Sequence, residues 1–339
     1  MPRGSLINIL YTSLSSAQNL VKLNSHVTNI THNDHGVSVQ LSNGTVEHGS
    51  IVIGADGVHS ATRASMLAAA SRAGVETKYD ENVMVANFHG IFGTASNEKL
   101  KMEEGVVFES RGGGGTVIQA VATPDLIYYV TLKSLDRPST DRIKYSREEM
   151  EDYARDIGDV MVAPEIQFRE LWQSADKSKA RKLNQEEGLL RHWSWGRTVL
   201  VGDSVCKTTS VNGLGLTCGI HSAVVLANEL SKLSVEKEVG LDEIGRAFER
   251  YQKEREGEAK QVWSDGRDII RNVTSRSWTM RFWDDWVLPW VDMEKFWGGK
   301  LVSWLFIRHG QILQFVPFVG EAGNVDWVKK PNVKGLKFD

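Results

Sequence analysis

Asp203, Gly213 and Gly215 are the residues whose types and spacing speak most directly of chemistry. Asp203 follows the apolar, β-branched run at residues 198–201 across one glycine, Gly202. A continuous run of that kind fits a strand covered on both faces, as in a parallel sheet. A carboxylate at the carboxyl end of such a strand stands where open α/β sheets hold ligands, and it can accept hydrogen bonds from sugar-like hydroxyls. Gly213 and Gly215, interleaved with Leu214 and Leu216, lead into residues 216–230, which read as a helix with small residues along one face. Glycines at a helix entrance let backbone N–H groups approach a ligand, and the positive end of the helix dipole favours an electron-rich or anionic group there. An acidic turn before an ordinary helix is the bland alternative, and a lone glycine-rich turn does not decide between them.

A second stretch bears on that choice. Ile51, Val52 and Ile53 form another apolar strand that runs into Gly54, Asp56 and Gly57, followed by a polar helix start carrying Ser60 and Arg63. With both turns in one chain, the sequence resembles the flavoprotein monooxygenases that use FAD and NAD(P)H, the para-hydroxybenzoate hydroxylase-like group. The family's G-A-D-G-x-x-S-x-x-R motif, which lies near the pyrophosphate and is linked to NAD(P)H use, matches Gly54, Ala55, Asp56, Gly57, Ser60 and Arg63. Its later G-D motif matches Gly202 and Asp203. The resemblance implies that Asp203 holds the ribityl chain of FAD and that the backbone of Gly213, Leu214, Gly215 and Leu216 faces the pyrimidine edge of the flavin ring. An Arg-x-x-Leu-x-x-x-Leu helix of the family matches Arg3, Leu6 and Leu10. The arginine then approaches the pyrophosphate region, or else it is a solvated first-turn residue.

The implied fold is α/β: an FAD-binding Rossmann-like domain with an inserted β-sheet substrate domain and a C-terminal helical region. FAD is the implied cofactor, NAD(P)H the reductant, and molecular oxygen and a small apolar substrate the partners. Residues 87–93 (Asn-Phe-His-Gly-Ile-Phe-Gly) and Tyr128–Tyr129 are similar to fungal members that epoxidise prenyl chains in meroterpenoid and indole-diterpene biosynthesis. That points to epoxidation or hydroxylation of a prenylated or terpenoid intermediate. Departures accompany the match. No G-x-G-x-x-G precedes Arg3, so the expectation is a domain without its first βαβ unit that binds FAD poorly. Cys206, Ser210 and Thr217 stand where the family usually has His, Pro and Asn. A flavin-free relative, acting as a binding protein or a non-redox isomerase or cyclase, is the alternative.

The whole sequence sets the frame for these residues. The 339 residues carry 40 basic and 43 acidic side chains, a balance that implies neither nucleic acid nor a strongly charged partner. Cys206 and Cys218 are the only cysteines and show no metal-ligand spacing, so no metal is expected and a reduced, cytoplasmic setting is the default. The N-terminus has no apolar signal-type core, and no run has the length of a membrane span. The nine histidines share no motif with a serine or aspartate that would make a triad, and no catalytic residue is assigned.

The elements that must position the site follow from periodicity. Leu6, Ile7, Leu10 and Leu14 predict an amphipathic helix at residues 3–14. Residues 27–30, 37–41 and a segment around Val46, separated by Asn/Gly turns, predict an antiparallel meander. Strands are expected at 83–91, 106–109, 116–121 and 126–132, with Arg111 and Gly112 to Gly115 at a hairpin tip. A charged surface helix at 147–157, a short segment at 168–172 and a Lys-rich loop at 177–182 come next. A long amphipathic helix is expected at 241–260. The domain reading is FAD-binding residues 1–76 and 189–260, a substrate sheet at 77–188 and a Trp-rich helical region at 261–339. Seven tryptophans from Trp263 to Trp304 suit either indoles packed on a core or peripheral contact with a membrane.

Overall fold

The computed structural model describes residues 3–33, 35–112, 114–233, 239–274, 279, 282, 286–287, 290, 308–316 and 327–329. The chain opens with α1 (Arg3–Ser13), then β1 (Val27–His32), β2 (Val37–Leu41) and β3 (Val46–Gly49), which pair as the expected antiparallel meander. β4 (Val52–Gly54) leads into α2 (Ala61–Arg72) and the short α3 (Lys78–Glu81). The middle of the chain supplies β5 (Val85–Ser96), β6 (Val107–Gly112), β7 (Thr116–Ala122), β8 (Leu126–Ser139), α4 (Arg147–Asp156), β9 (Met161–Ala163), β10 (Ile166–Gln167), α5 (Phe168–Gln173) and β11 (Arg181–Leu189). β12 (Ser194–Trp195), β13 (Thr198–Leu200), β14 (Cys206–Lys207), α6 (Gly215–Leu230) and α7 (Leu241–Val273) follow.

Two layered units result. In the first, β12, β13 and β4 form a small sheet in that order, with β13 and β4 parallel. Val199 and Leu200 are fully buried in one core with Met66 and Leu67 of α2 and Val225, Leu226, Phe248 and Tyr251 of α6 and α7. Burial of successive residues, which alternate in direction, is why the strand reads as an uninterrupted run. In the second unit, six strands run in the order β14-β11-β5-β8-β7-β6. Successive residues of a strand point to opposite faces, and adjacent Val117 and Ile118 show the consequence. Ile118 joins Ile91, Ile127, Tyr153, Phe168 and Trp172 under α4 and α5, whereas Val117 joins Phe88, Leu132 and Ile270 of α7.

Several expectations need correction. Residues 177–182 are not all loop: β11 begins at Arg181 and pairs with β5 from Arg181 to Glu187. α4 is not a surface helix alone, since Met150, Tyr153 and Ala154 bury one side of it against the sheet. α7 continues past residue 260 to Val273, because its buried side still finds residues 208–212 at Gly266 and the second unit at Ile270. α1 forms where predicted, yet Ile7, Leu10 and Leu14 are exposed. Trp263 lies on α7 and packs at the edge of the first core, and Trp286 and Trp290 are exposed. Trp278, Trp283, Trp297 and Trp304 lie outside the described residues.

Candidate cofactor site

Both sequence motifs leave the same end of the small sheet. Val52, Ile53 and Gly54 pair in parallel with Thr198, Val199 and Leu200, so the two Gly-Asp turns emerge side by side. Gly54 is required at this contact. A Cβ there would lie 2.6 Å from Leu200 Cδ2 and 2.7 Å from Thr62 Cγ2. The turns are then tied together by hydrogen bonds. Ser204 Oγ donates to Gly54 O at 2.7 Å, and Arg63 Nη1 donates to Ser204 O at 3.0 Å while its Nη2 donates to Val58 O at 2.5 Å. Arg63 thus holds the second turn from the helix that follows the first.

Asp56 does at least one structural job. Its Oδ1 accepts from Ser60 Oγ and its Oδ2 from Thr62 N at 2.9 Å, at the start of α2. Burial works to raise its pKa, but the bonds from Ser60 and Thr62 hold it below the usual carboxylate value. Gly57 beside it has φ +81° with open space above.

Asp203 sits at the carboxyl end of β13, half-exposed, with Lys207 Nζ at 2.7 Å from Oδ2. A carboxylate has further acceptor sites beyond one ion pair, and they remain available to hydroxyls. The loop after it is pinned to α7: Asn212 Nδ2 donates to Val262 O at 3.1 Å and Thr209 Oγ1 to Gly266 O at 3.2 Å, while Asn212 Oδ1 accepts from Leu214 N at 3.2 Å. Gly213 takes the left-handed conformation (φ +66°), with nothing within 4 Å of a Cβ built on it. Leu214 is the N-cap of α6 and offers no side-chain cap, and the first turn holds no acidic residue. The start of this 16-residue helix, at Gly215 and Leu216, is therefore without a side-chain cap. Backbone donors at an uncapped helix start suit the carbonyl-bearing edge of a flavin, and Asp203 suits a polyol chain. The residues present fit that half of FAD.

The large sheet adjoins this loop. Val211 packs against the cluster that holds Phe88 and Leu132, Ser210 N donates to Gln185 Oε1 at 3.2 Å, and β14 pairs with β11 through Gly188 and Leu189.

Comparison with known proteins identifies the family. Residues 1–265 match the FAD binding domain family. The chain belongs to the FAD-dependent monooxygenases. This family member is 47% identical over 339 residues to an FAD-dependent monooxygenase of Neurospora crassa, covering 97% of this chain and 76% of that protein. An FAD-dependent monooxygenase of Apiospora sacchari is 28% identical over 325 residues, covering 94% of this chain and 66% of its own length. Among solved structures, HpxO of Klebsiella pneumoniae with FAD and uric acid superposes with a TM-score of 0.66 at 17% identity, over 85% of this chain and 67% of that one. FqzB superposes with a TM-score of 0.63 at 18% identity, over 94% and 74%. These two likenesses concern the fold.

Of the monooxygenase residues predicted from sequence, Asp203, Gly213, Leu214, Gly215 and Leu216 share one loop and helix start, and Asp56 and Gly57 stand on the neighbouring turn. Arg3 begins α1, and its side chain lies outside the described residues. Sequence reading missed the polar strand β11. Glu186 meets His59 Nε2 at 3.3 Å, and Glu187 binds Arg271 through contacts of 2.5 and 3.1 Å and Asn87 Nδ2 at 2.8 Å. A run of adjacent Asn, Gln and two Glu between apolar segments was the available signal.

Proposed function

We propose that the chain is an FAD- and NAD(P)H-dependent monooxygenase that transfers one atom of molecular oxygen to a small apolar substrate. The proposed substrate class is a prenylated or terpenoid intermediate, and the proposed outcome epoxidation or hydroxylation. Bound FAD supplies the redox and oxygen chemistry. Asp203 accepts hydrogen bonds from the ribityl hydroxyls, and Gly215 and Leu216 donate from the uncapped start of α6. Asp56 and Gly57, with Arg63 behind them, serve the pyrophosphate and the reductant. Phe88, Val130 and Val211 give the approach to the loop an apolar wall, which limits water near the reacting atoms. Among the described residues no helix is long and apolar enough to cross a membrane. Exposed Trp286 and Trp290 support peripheral contact with a bilayer, where apolar substrates collect.

The observation that carries this reading is the parallel β4–β13 pair, which delivers Asp203 and the Gly213–Leu216 entrance to one sheet end. Asp203→Ala tests it. A charge-assisted hydrogen bond contributes about 1.5–3 kcal/mol, so flavin affinity should fall about tenfold to a hundredfold. Far-ultraviolet circular dichroism should stay unchanged. Equal flavin absorbance in the two purified proteins would remove Asp203 from the site.

A further inference from the structure

The cofactor loop is bracketed by the chain's two cysteines. Cys206 lies in β14 and Cys218 in the first turn of α6, and both are buried free thiols. The Cys206 thiol donates to Ala259 O at 3.5 Å, one helical turn along α7 from Arg255, and each thiol shifts the ionisation of the other. Fully buried Arg255 of α7 places Nη2 3.6 Å from Cys218 Sγ and 3.4 Å from Cys218 O, and its Nε lies 3.5 Å from Ser222 Oγ. Arg255 Nη1 pairs with Glu258, whose Oε1 is 2.8 Å from His221 Nδ1. Tyr251 from α7 and Asp203 from the preceding turn complete the ionisable groups acting on the two sulfurs. Cys218, His221, Glu258 and Thr217 line a cavity of about 520 Å³, which gives a small molecule access to this otherwise covered cluster.

The two thiols are not equivalent. The neighbouring Cys206, joined by the charge of Arg255 and opposed by burial, brings the Cys218 pKa below the usual thiol value. Cys206 keeps its proton, its pKa raised by Cys218 and by burial. A thiolate at neutral pH beside a protonated thiol is the arrangement of an attacking and a resolving cysteine.

We propose that Cys218 and Cys206 are a modification site for hydrogen peroxide, with Cys218 attacking and Cys206 closing a disulfide across the cofactor loop. In the first step the Cys218 sulfur bonds one peroxide oxygen, the O–O bond breaks, and the hydroxide released takes up a proton as water. In the second step the Cys206 sulfur displaces the oxygen of the Cys218 sulfenic acid, the S–O bond breaks as S–S forms, and a second water leaves with the Cys206 proton. Two thiols lose two electrons and two protons in total, and one peroxide becomes two waters. The bridge fixes the start of β14 to the first turn of α6, on either side of Gly213. This thiol chemistry does not depend on the flavin reading, although its consequence falls on the same loop.

Peptide mapping of the full chain without added flavin tests the pair separately from the cofactor assignment. Lys207 stands between the cysteines, so trypsin releases residues 198–207 and 208–232 as separate peptides unless they are bridged. After peroxide treatment and alkylation in denaturant, the two peptides should be recovered joined, lighter than their sum by two hydrogens, and should separate on reduction. In untreated protein, Cys218 alkylation should rise with pH through a midpoint below that of an ordinary cysteine. Cys206→Ser should halt the reaction at a Cys218 sulfenic acid that dimedone traps. Separate, fully alkylated peptides after peroxide would overturn the proposal, as would preferential oxidation of Cys206 with Cys218 left untouched.

Discussion

Replacing Gly266 by Ala should destabilise the protein, although the change improves a helix. Gly266 lies well inside α7, where alanine is favoured over glycine by about 1 kcal/mol. The added Cβ would, however, stand 2.0 Å from Thr208 Oγ1 and 2.8 Å from Asn212 Nδ2. Neither atom belongs to a free side-chain end. Thr208 Oγ1 donates to Val262 O at 3.3 Å, Asn212 Nδ2 donates to the same carbonyl at 3.1 Å, and Thr209 Oγ1 donates to Gly266 O at 3.2 Å. Admitting the methyl forces the loop off α7 and loosens these three bonds, each contributing about 1 kcal/mol net. Against the gain in helix propensity, the balance is a loss of about 2 kcal/mol, within the usual range for overpacking. Urea unfolding followed by circular dichroism measures it. The displaced loop carries Gly213 and Leu214, so FAD affinity, read by flavin fluorescence, should fall about tenfold as well, the equivalent of about 1.4 kcal/mol. Stability equal to or above wild type, with unchanged flavin affinity, would refute the argument that this helix position is reserved for the loop.

Three further outcomes are expected. Arg63→Ala leaves Ser204 O and Val58 O without their donor, and stopped-flow measurement should show NAD(P)H-driven flavin reduction slowed more than stability is lowered; an unchanged rate would leave Arg63 a structural role only. Arg271→Met strands the buried carboxylate of Glu187 with Asn87 alone, costing about 2 kcal/mol in chemical denaturation after allowance for the half-exposed guanidinium, and adding Glu187→Gln should restore most of it. His89 has its pKa lowered to about 4, first by burial and then by Lys182 and Lys133. The unfolded chain binds that proton near pH 6.5, so the contribution of His89 to stability is complete above pH 6.5 and is lost as pH falls towards 4. His89→Phe keeps a ring against Tyr153 and should flatten the stability profile across that window.

What could be read in the sequence was whatever depends on neighbours along the chain. The run at 198–201 announced a buried strand because its residues are covered, whereas Ile53, on the neighbouring strand, stays exposed; glycines and aspartates after both strands announced turns. The meander was legible for the same reason, since Asn43 and Gly44 make their turn locally. β11 was not legible. Asn184, Gln185, Glu186 and Glu187 are tolerated inside a sheet by partners on distant segments, among them Tyr145, His59 and Arg271. Gly266 lies beyond the helix predicted at 241–260, and its role was not legible because Thr208 and Asn212, which need the space, arrive from far earlier in the chain. Asp203 was placed correctly as a turn residue, but its ion pair with Lys207 depends on how the chain bends after Ser204.

The pairing of β14 with β11 has a mechanical consequence. Cys206 and Lys207 belong to the loop that follows Asp203, yet they are also the outermost rung of the six-stranded ladder, opposite Leu189 and Gly188. No hinge separates the two at this edge, so the spacing between the wall that would meet a substrate and the loop that would meet the flavin is set by one interstrand repeat. α7 reinforces that spacing as a single strut about 50 Å long at about 1.5 Å per residue, touching the small sheet near Phe248 and the large one at Ile270. Traffic into and out of the space between them must then be governed elsewhere on its perimeter. A slip of β11 by one residue would shift the loop along with the wall, and so would alter reactivity and selectivity together.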